Sequence, residues 1–189
     1  VQSLLKFGDG ERVVTAQVKR DVAAPEPPSG QAVLPGLAGG QAPAVILVAT
    51  ARGYGFRATP DLSETTRSGR RVARVGEGDE IVSVEPVLGK AVVVAASSGK
   101  MLRFALGDVA ELSGPGRGVT LLKPDADARV VGALALPEKD DFLAVTPEGN
   151  ERKFAMKDVA AGRRAGKGQK VVKRGGVVAI RRMDKPVEA

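Results

Sequence analysis

The sequence predicts an all-β protein assembled from repeated, propeller-type units of four strands. Three observations support this fold class: short runs of Val, Ile and Leu bounded by Gly, Asp or Pro, no apolar stripe of helical period beyond two turns, and one motif that occurs three times. The apolar runs are VILVAT (45–50), EIVSVEPV (80–87), AVVVAA (91–96), RVVGALAL (129–136), FLAVT (142–146) and GVVAI (176–180). We expect each run to form one strand of a small sheet.

The repeated motif has a fixed order of landmarks. An apolar strand ends at a turn glycine, a Phe follows on the return strand, and an Asp followed by an aliphatic residue comes next. Eight residues beyond the Asp lies a second glycine, and a cation follows it directly. The landmarks are Gly53, Phe56, Asp61, Gly69 and Arg70, then Gly99, Phe104, Asp108, Gly116 and Arg117, and finally Gly149, Phe154, Asp158, Gly166 and Lys167. The Asp residues are 47 and 50 residues apart, a period typical of four-stranded blades.

The repeats divide the chain into five segments. Three blades are predicted at residues 45–90, 91–139 and 140–185, the last with a strongly basic rim. Residues 1–22 match only the end of a unit and are predicted to belong to a partial blade, so the chain is expected to begin inside a repeat. Residues 23–44 are rich in Ala, Pro and Gly, which predicts a linker or a long loop.

The distribution of charge indicates a polyanionic partner. The net charge is +7, and residues 152–185 contain twelve Lys or Arg but only two Asp, a balance of +10, which leaves −3 for the rest of the chain. Five Phe, one Tyr and no Trp are few for a protein that stacks bases on aromatic side chains. The sequence therefore predicts contact with the phosphates of duplex DNA, without base recognition.

The recurrent glycine–cation element supplies the candidate binding residues. Because the element has the same place in every repeat, its cations should line up along the outer curve of the array, where they could follow and bend a duplex. Glycines would let the backbone approach closely and offer N–H groups to phosphate oxygens. The predicted DNA-binding residues are Arg163, Arg164, Lys167, Lys170, Lys173 and Arg174, extended by Arg70, Arg71, Arg117, Arg181 and Arg182.

Other chemistry finds little support in the sequence. GRRAGKGQ resembles a nucleotide-binding loop, but Gly162 and Gly166 are one residue too close, Gly168 stands where a hydroxyl should hold magnesium, and a strand pattern follows. The chain has no Cys and no His, which excludes thiol nucleophiles, imidazole metal sites and His-based triads. No catalytic residue, metal or cofactor is predicted. No apolar run of about 18 residues occurs either, so we expect no membrane contact and a cytoplasmic location.

The repeats also resemble a known family. TARGYGFRATPDL, SGKMLRFALGDVAELSGPGRGVTLL and FAMKDVAAGRRAGKG are similar, in order and spacing, to blades of the C-terminal DNA-binding domain in the A subunit of bacterial type IIA topoisomerases, the β-pinwheel of topoisomerase IV and gyrase. The resemblance covers residues 45 to about 183 and, in part, 1–18. It is nearest to topoisomerase IV, where an element like Gly53–Phe56 opens a blade. The implied fold is an array of about three complete four-stranded blades plus a partial N-terminal one.

This resemblance implies a function and a setting. The domain would bind and bend duplex DNA and steer it to the strand-passage core of an ATP-dependent topoisomerase. It would itself be non-catalytic, with ATP and magnesium bound only by other domains. Its partners would be double-stranded DNA, the remainder of the dimeric A subunit, and the B subunit of the holoenzyme, at the nucleoid in a bacterial cytoplasm.

Two alternatives stay open at this stage. Gyrase carries a wrapping motif, Gln-Arg-Arg-Gly-Gly-Lys-Gly, in its first blade; residues 162–168 match it at five of seven positions, but in the last repeat. That departure favours topoisomerase IV-like bending over gyrase-like wrapping. The other alternative, from a different class, is a propeller-like protein-interaction module whose basic face meets an acidic protein.

Overall fold

The computed structural model describes residues 45–60 and 71–183. Within them the regular structure is strand, apart from 3₁₀ turns at Leu106–Asp108 and Met156–Asp158, so the predicted all-β class is confirmed. The strands are β1 (Ile46–Thr50), β2 (Tyr54–Ala58), β3 (Ile81–Pro86), β4 (Ala91–Ala96), β5 (Lys100–Ala105), β6 (Glu111–Leu112), β7 (Val119–Thr120), β8 (Val130–Leu136), β9 (Asp141–Val145), β10 (Glu151–Ala155), β11 (Gln169–Lys170) and β12 (Ala179–Arg182). The predicted partial blade (1–22) and linker (23–44) lie outside the described residues.

Three sheets account for the three repeats, and all their pairs of strands are antiparallel except β2 with β6. Each contains a hairpin and the last strand of its own repeat, in the orders β3-β1-β2, β8-β4-β5 and β12-β9-β10. The hairpin turns are alike: the N–H groups of Gly53, Gly99 and Gly149 each donate to the carbonyl three residues earlier, at 2.9 Å, with φ between 81° and 87°. The predicted turn glycines are thus confirmed, and the three predicted Phe lie on the return strands β2, β5 and β10.

The fourth strand of a sheet is donated by the following repeat. β6 and β7, from the second repeat, pair with the outer edge of β2. In the same way β11 pairs with β5, and Ala161 bridges to Arg103. The first and second sheets therefore cross the sequence divisions predicted at residues 90/91 and 139/140, because the outer edge of each is completed by a segment from beyond the division.

An arginine fastens each donated segment. Arg57 Nε donates to the carbonyl oxygen of Val109 at 3.1 Å, and Arg103 Nε donates to that of Val159, also at 3.1 Å. Each acceptor directly follows the repeated Asp of the donating repeat. Glu111 and Glu138 complete the contacts as ion pairs with Arg57 and Arg103, at 3.4 and 3.1 Å. The recurrence of this contact shows that neighbouring repeats are joined by one common geometry.

The buried apolar residues form three clusters; two of them lie between the sheets and both include residues of β4, whereas the third lies on the opposite face of β1. Val92 and Val94 pack toward the first sheet with Leu47, whereas Val93 packs toward the third sheet with Phe142. Burial on both faces explains why AVVVAA is a continuous apolar run without alternation. The last strands β3, β8 and β12 lie side by side, with β8 in the middle. They form the inner side of the array, and the donated segments form its outer side.

Candidate nucleic-acid interface

The described segments at or directly after the glycine–cation elements form corners on the outer side of the array. We name them the first corner (residues 71–75), the second corner (113–122) and the third corner (163–172). In the second, the N–H groups of Leu121 and Leu122 both donate to the Gly53 carbonyl; in the third, those of Val171 and Val172 both donate to Gly99. The second and third corners thus each dock on the hairpin turn of the preceding sheet.

Two glycines of these corners closely approach the backbone of a neighbouring strand. A Cβ on Gly118 would lie 2.1 Å from the Gly55 carbonyl oxygen, and one on Gly168 would lie 2.7 Å from that of Met101. Both residues also have positive φ, 77° and 70°, which disfavours any side chain. The sequence predicts that corner glycines let the backbone approach DNA phosphates closely. For these two glycines, the close approach is to the backbone of the neighbouring strand instead.

The three corners touch one another in sequence order. The Arg74 N–H donates to the Gly116 carbonyl oxygen at 2.9 Å, which joins the first corner to the second. Arg164 Nη1 donates to the Thr120 carbonyl oxygen at 2.7 Å, and the Ala165 N–H donates to that of Leu121 at 2.9 Å, which joins the second corner to the third. The corners therefore form one continuous surface along the outer side, which we call the corner band.

The third corner has the densest group of cations in this band. Arg163 and Lys167 are exposed, and within the described part of the chain neither forms an ion pair or a side-chain hydrogen bond. Lys170 is exposed and donates from Nζ to the Ser98 carbonyl oxygen at 2.6 Å. Arg164 is half-buried, and its bond to Thr120 makes it first of all a link between corners. Arg163 and Lys167 are consequently the side chains best presented to a ligand.

Two residues outside the predicted set lie among these cations. Lys100 Nζ is 2.8 Å from Asp125 Oδ2 and hydrogen-bonds Oδ1 at 3.0 Å. This hydrogen bond lowers the pKa of the Asp125 carboxyl below its usual value, and the charges of Lys167 and Lys170 act in the same direction. Lys100 directly follows the turn glycine Gly99, which is the one signal in the sequence that could have identified it. The repeated motif defines cations only after its second glycine, so Lys100 falls outside it.

The second corner has a single cation from the predicted set. Arg117 is exposed, and its guanidinium carbon lies 3.7 Å from the centroid of the Tyr54 ring, a cation–π contact. Tyr54 therefore packs against Arg117. Arg71 is exposed in the first corner, and Arg70 lies outside the described residues. Arg74, also exposed, is a further cation of the band that the sequence motif does not include.

The remaining predicted residues lie outside the three corners: two directly follow the third corner, and two lie on β12. Lys173 and Arg174 are exposed in the loop before β12, which is held to the second hairpin turn by the bond from the Val177 N–H to the Ser97 carbonyl oxygen. Arg181 and Arg182 lie on β12, the strand equivalent to β3 and β8, at the edge of the third sheet opposite β10. The structure thus groups six predicted cations in the corner band (Arg71, Arg117, Arg163, Arg164, Lys167 and Lys170), leaves Lys173 and Arg174 directly after the third corner, and separates Arg181 and Arg182.

The two inner arginines have acidic neighbours of their own. Arg181 Nη1 lies 3.7 Å from Glu151 Oε1. Burial raises the pKa of the Glu85 carboxyl, and the charge of Arg182 partly offsets that rise. Over residues 45–60 and 71–183, no three His, Cys, Asp or Glu side chains are grouped to hold a metal, and no helix is long and apolar enough to cross a bilayer.

Comparison with known proteins gives a family and several similar folds. The sequence model of the family described as "DNA gyrase C-terminal domain, beta-propeller" matches residues 44–88 and 90–137. No curated protein sequence matches the chain.

Three solved structures have a similar fold. The C-terminal domain of DNA topoisomerase IV superposes with a TM-score of 0.64 at 14% identity, covering 76% of this chain and 47% of that one. The DNA gyrase A C-terminal domain superposes with a TM-score of 0.63 at 24% identity, covering 75% of this chain and 49% of that one. The E. coli ParC C-terminal domain superposes with a TM-score of 0.59 at 17% identity, covering 75% of this chain and 61% of that one. This chain spans about half to three-fifths of the length of these domains.

Proposed function

Through residues 44–88 and 90–137 this chain belongs to the DNA gyrase C-terminal β-propeller family, and we propose that it binds duplex DNA along its corner band without sequence preference. The observation that carries the proposal is the contact between successive corners, which turns separate glycine–cation elements into one outer surface. A continuous row of cations suits the regularly spaced phosphates of a duplex and would favour bending of the DNA along it.

Salt dependence offers the first test. If about six phosphates are neutralised, the logarithm of the association constant should fall with the logarithm of salt concentration at a slope of roughly −5. The measurement is fluorescence anisotropy of a labelled duplex of about 40 base pairs, titrated at several KCl concentrations. An affinity that does not depend on salt would contradict the proposal.

Charge reversal locates the surface. The triple variant Arg163→Glu, Lys167→Glu and Lys170→Glu should weaken binding by on the order of 100-fold and reduce the salt slope by about three. The matched control reverses the same charge at Lys90, Lys139 and Lys157, which are exposed at the ends of strands far from the hairpin turns. Equal losses in both variants would mean that net charge, rather than the corner band, governs binding.

In the intact enzyme we propose that this domain bends DNA and steers it to the strand-passage core of a type IIA topoisomerase, in the manner expected for topoisomerase IV. Catalysis, ATP and magnesium would belong to other domains. The partners would be the rest of the dimeric A subunit and the B subunit, in a bacterial cytoplasm at the nucleoid. The five-of-seven match of residues 162–168 to the gyrase motif supports wrapping as a second candidate.

Ligation of nicked circular DNA separates the two candidates. DNA closed in the presence of a domain that only bends should show little or no change in linking number. A large positive shift that grows with protein concentration would instead support gyrase-type wrapping. Competition tests the alternative of an acidic protein ligand. If such a protein binds this surface and plasmid DNA does not displace it, the surface is not a DNA-binding site.

A further inference from the structure

Asp125 is a carboxylate that lies among lysines from two different repeats. It forms an ion pair with Lys100 of its own repeat at 2.8 Å, and the charges of Lys167 and Lys170 of the third repeat also act on it. The site is at the junction of the second and third sheets, where the third corner docks on the Gly99 turn.

The structural value of this carboxylate to the fold is small. The side chains of Lys100 and Asp125 are 29% and 33% exposed, so solvent partly screens the pair, and its contribution to folding should be modest. The turn that carries Asp125 is closed by a backbone bond, from the Ala128 N–H to the Asp125 carbonyl oxygen at 3.0 Å. The turn should therefore form with or without the charge.

The carboxylate has the chemistry of the ligand that the corner band is proposed to bind. A carboxylate and a DNA phosphodiester each present anionic oxygens to lysine ammonium groups. We propose that Asp125 is a built-in competitor of DNA phosphate for Lys100, Lys167 and Lys170, so that the third corner binds DNA more weakly than its lysines alone would allow. This inference rests on the proposed function of the band.

A competitor of this kind has a use in a protein that must release DNA. When a phosphate dissociates from the lysines, the Asp125 carboxylate neutralises part of their positive charge. Fewer anions from solution are then needed at this junction in the DNA-free protein. The same exchange reduces the number of ions released on binding, which lowers the salt dependence of the affinity.

The test is the variant Asp125→Asn, which keeps the size of the side chain and removes its charge. Affinity for the duplex of about 40 base pairs should rise about fivefold at low salt, and the salt slope should steepen by about one. Asp127→Asn is the matched control, because Asp127 is exposed on the same turn and its removal changes net charge equally. Circular dichroism and the urea midpoint confirm that both variants are folded.

A second set of variants tests whether the gain in DNA affinity depends on the lysines. In Lys100→Gln/Lys167→Gln/Lys170→Gln protein, the gain from Asp125→Asn should shrink to that of the control, since the three groups that it would set free are gone. Equal affinities of Asp125→Asn and Asp127→Asn would overturn the inference while leaving DNA binding intact. Absence of DNA binding by the wild-type protein would instead overturn the proposed function, so the two failures are distinguishable.

Discussion

The second and third corners have the same backbone contacts but differ in charge. In each, two successive N–H groups donate to the carbonyl of a turn glycine, and a positive-φ glycine lies against the neighbouring strand. Over equivalent positions, 50 residues apart, the second corner has one cation, Arg117, whereas the third has Arg163, Arg164, Lys167 and Lys170. The fold therefore constrains the glycines and aliphatic residues of a corner and leaves its charges free to vary.

This difference separates the residues that build the array from those that bind. Not every cation belongs to the binding group: Arg164 has a structural role, because its bond to the Thr120 carbonyl oxygen joins the two corners. Changes to the shared framework should destabilise both corners alike, whereas changes to charge should affect binding mainly at the third.

The largest expected effect is on the shared framework. Gly118→Ala should lower the free energy of unfolding by about 3 kcal/mol, because a Cβ would meet the Gly55 carbonyl oxygen at a residue with positive φ. Gly168→Ala should cost slightly less, about 2 kcal/mol, since its clash with Met101 is milder. Urea unfolding followed by circular dichroism measures both.

Gly107→Ala is the control for this experiment, because nothing lies within 4 Å of a Cβ built there. Its unfolding free energy should change by less than about 0.5 kcal/mol. If Gly118→Ala were as stable as this control, the exchange of segments between repeats would not contribute to stability in the way described.

The shared framework is also the part that the sequence predicts well. β1, β4 and β9 are recognisable because they are buried and apolar, and Gly53 and its equivalents because the turn needs a positive φ. The strand predicted from the run GVVAI starts too early: the observed strand begins at Ala179, because Gly175 and Gly176 both have positive φ. The chain changes direction at these glycines before the strand can start.

The exchange of segments could not be predicted in the same way. β6, β7 and β11 are two residues long, so they have no alternation of apolar and polar positions to read. Their partners are also set by contacts between repeats, such as that of Arg57 with Val109. For the same reason the sequence could identify the cations of the third corner but could not show that Arg164 links two corners or that Asp125 lies among the lysines.

A smaller effect is expected when one cation is moved from the third corner to the second. Ser113 is exposed and equivalent to Arg163, so the double variant Ser113→Arg/Arg163→Ser keeps the net charge unchanged. We expect DNA affinity to fall about threefold, because a cation adds more to phosphate binding within a dense group than beside a single Arg. Anisotropy titration at a fixed KCl concentration measures it.

The two single variants serve as controls for this exchange. Arg163→Ser alone should weaken binding more than Ser113→Arg alone strengthens it. If the double variant binds DNA as the wild type does, then only the number of cations matters, and the difference between the corners has no consequence for binding.

The smallest effect concerns the one cation of the second corner. Tyr54→Leu removes the ring that lies under Arg117 but keeps an apolar side chain, and it should lower stability by about 0.5 kcal/mol. DNA affinity should fall less than about twofold, because Arg117 retains its charge. Tyr54→Phe keeps the ring and should match the wild type in both measurements. A loss of affinity of about tenfold in Tyr54→Leu would show that the stacked Arg117 is a principal contact, and that the second corner, despite its single charge, binds as strongly as the third.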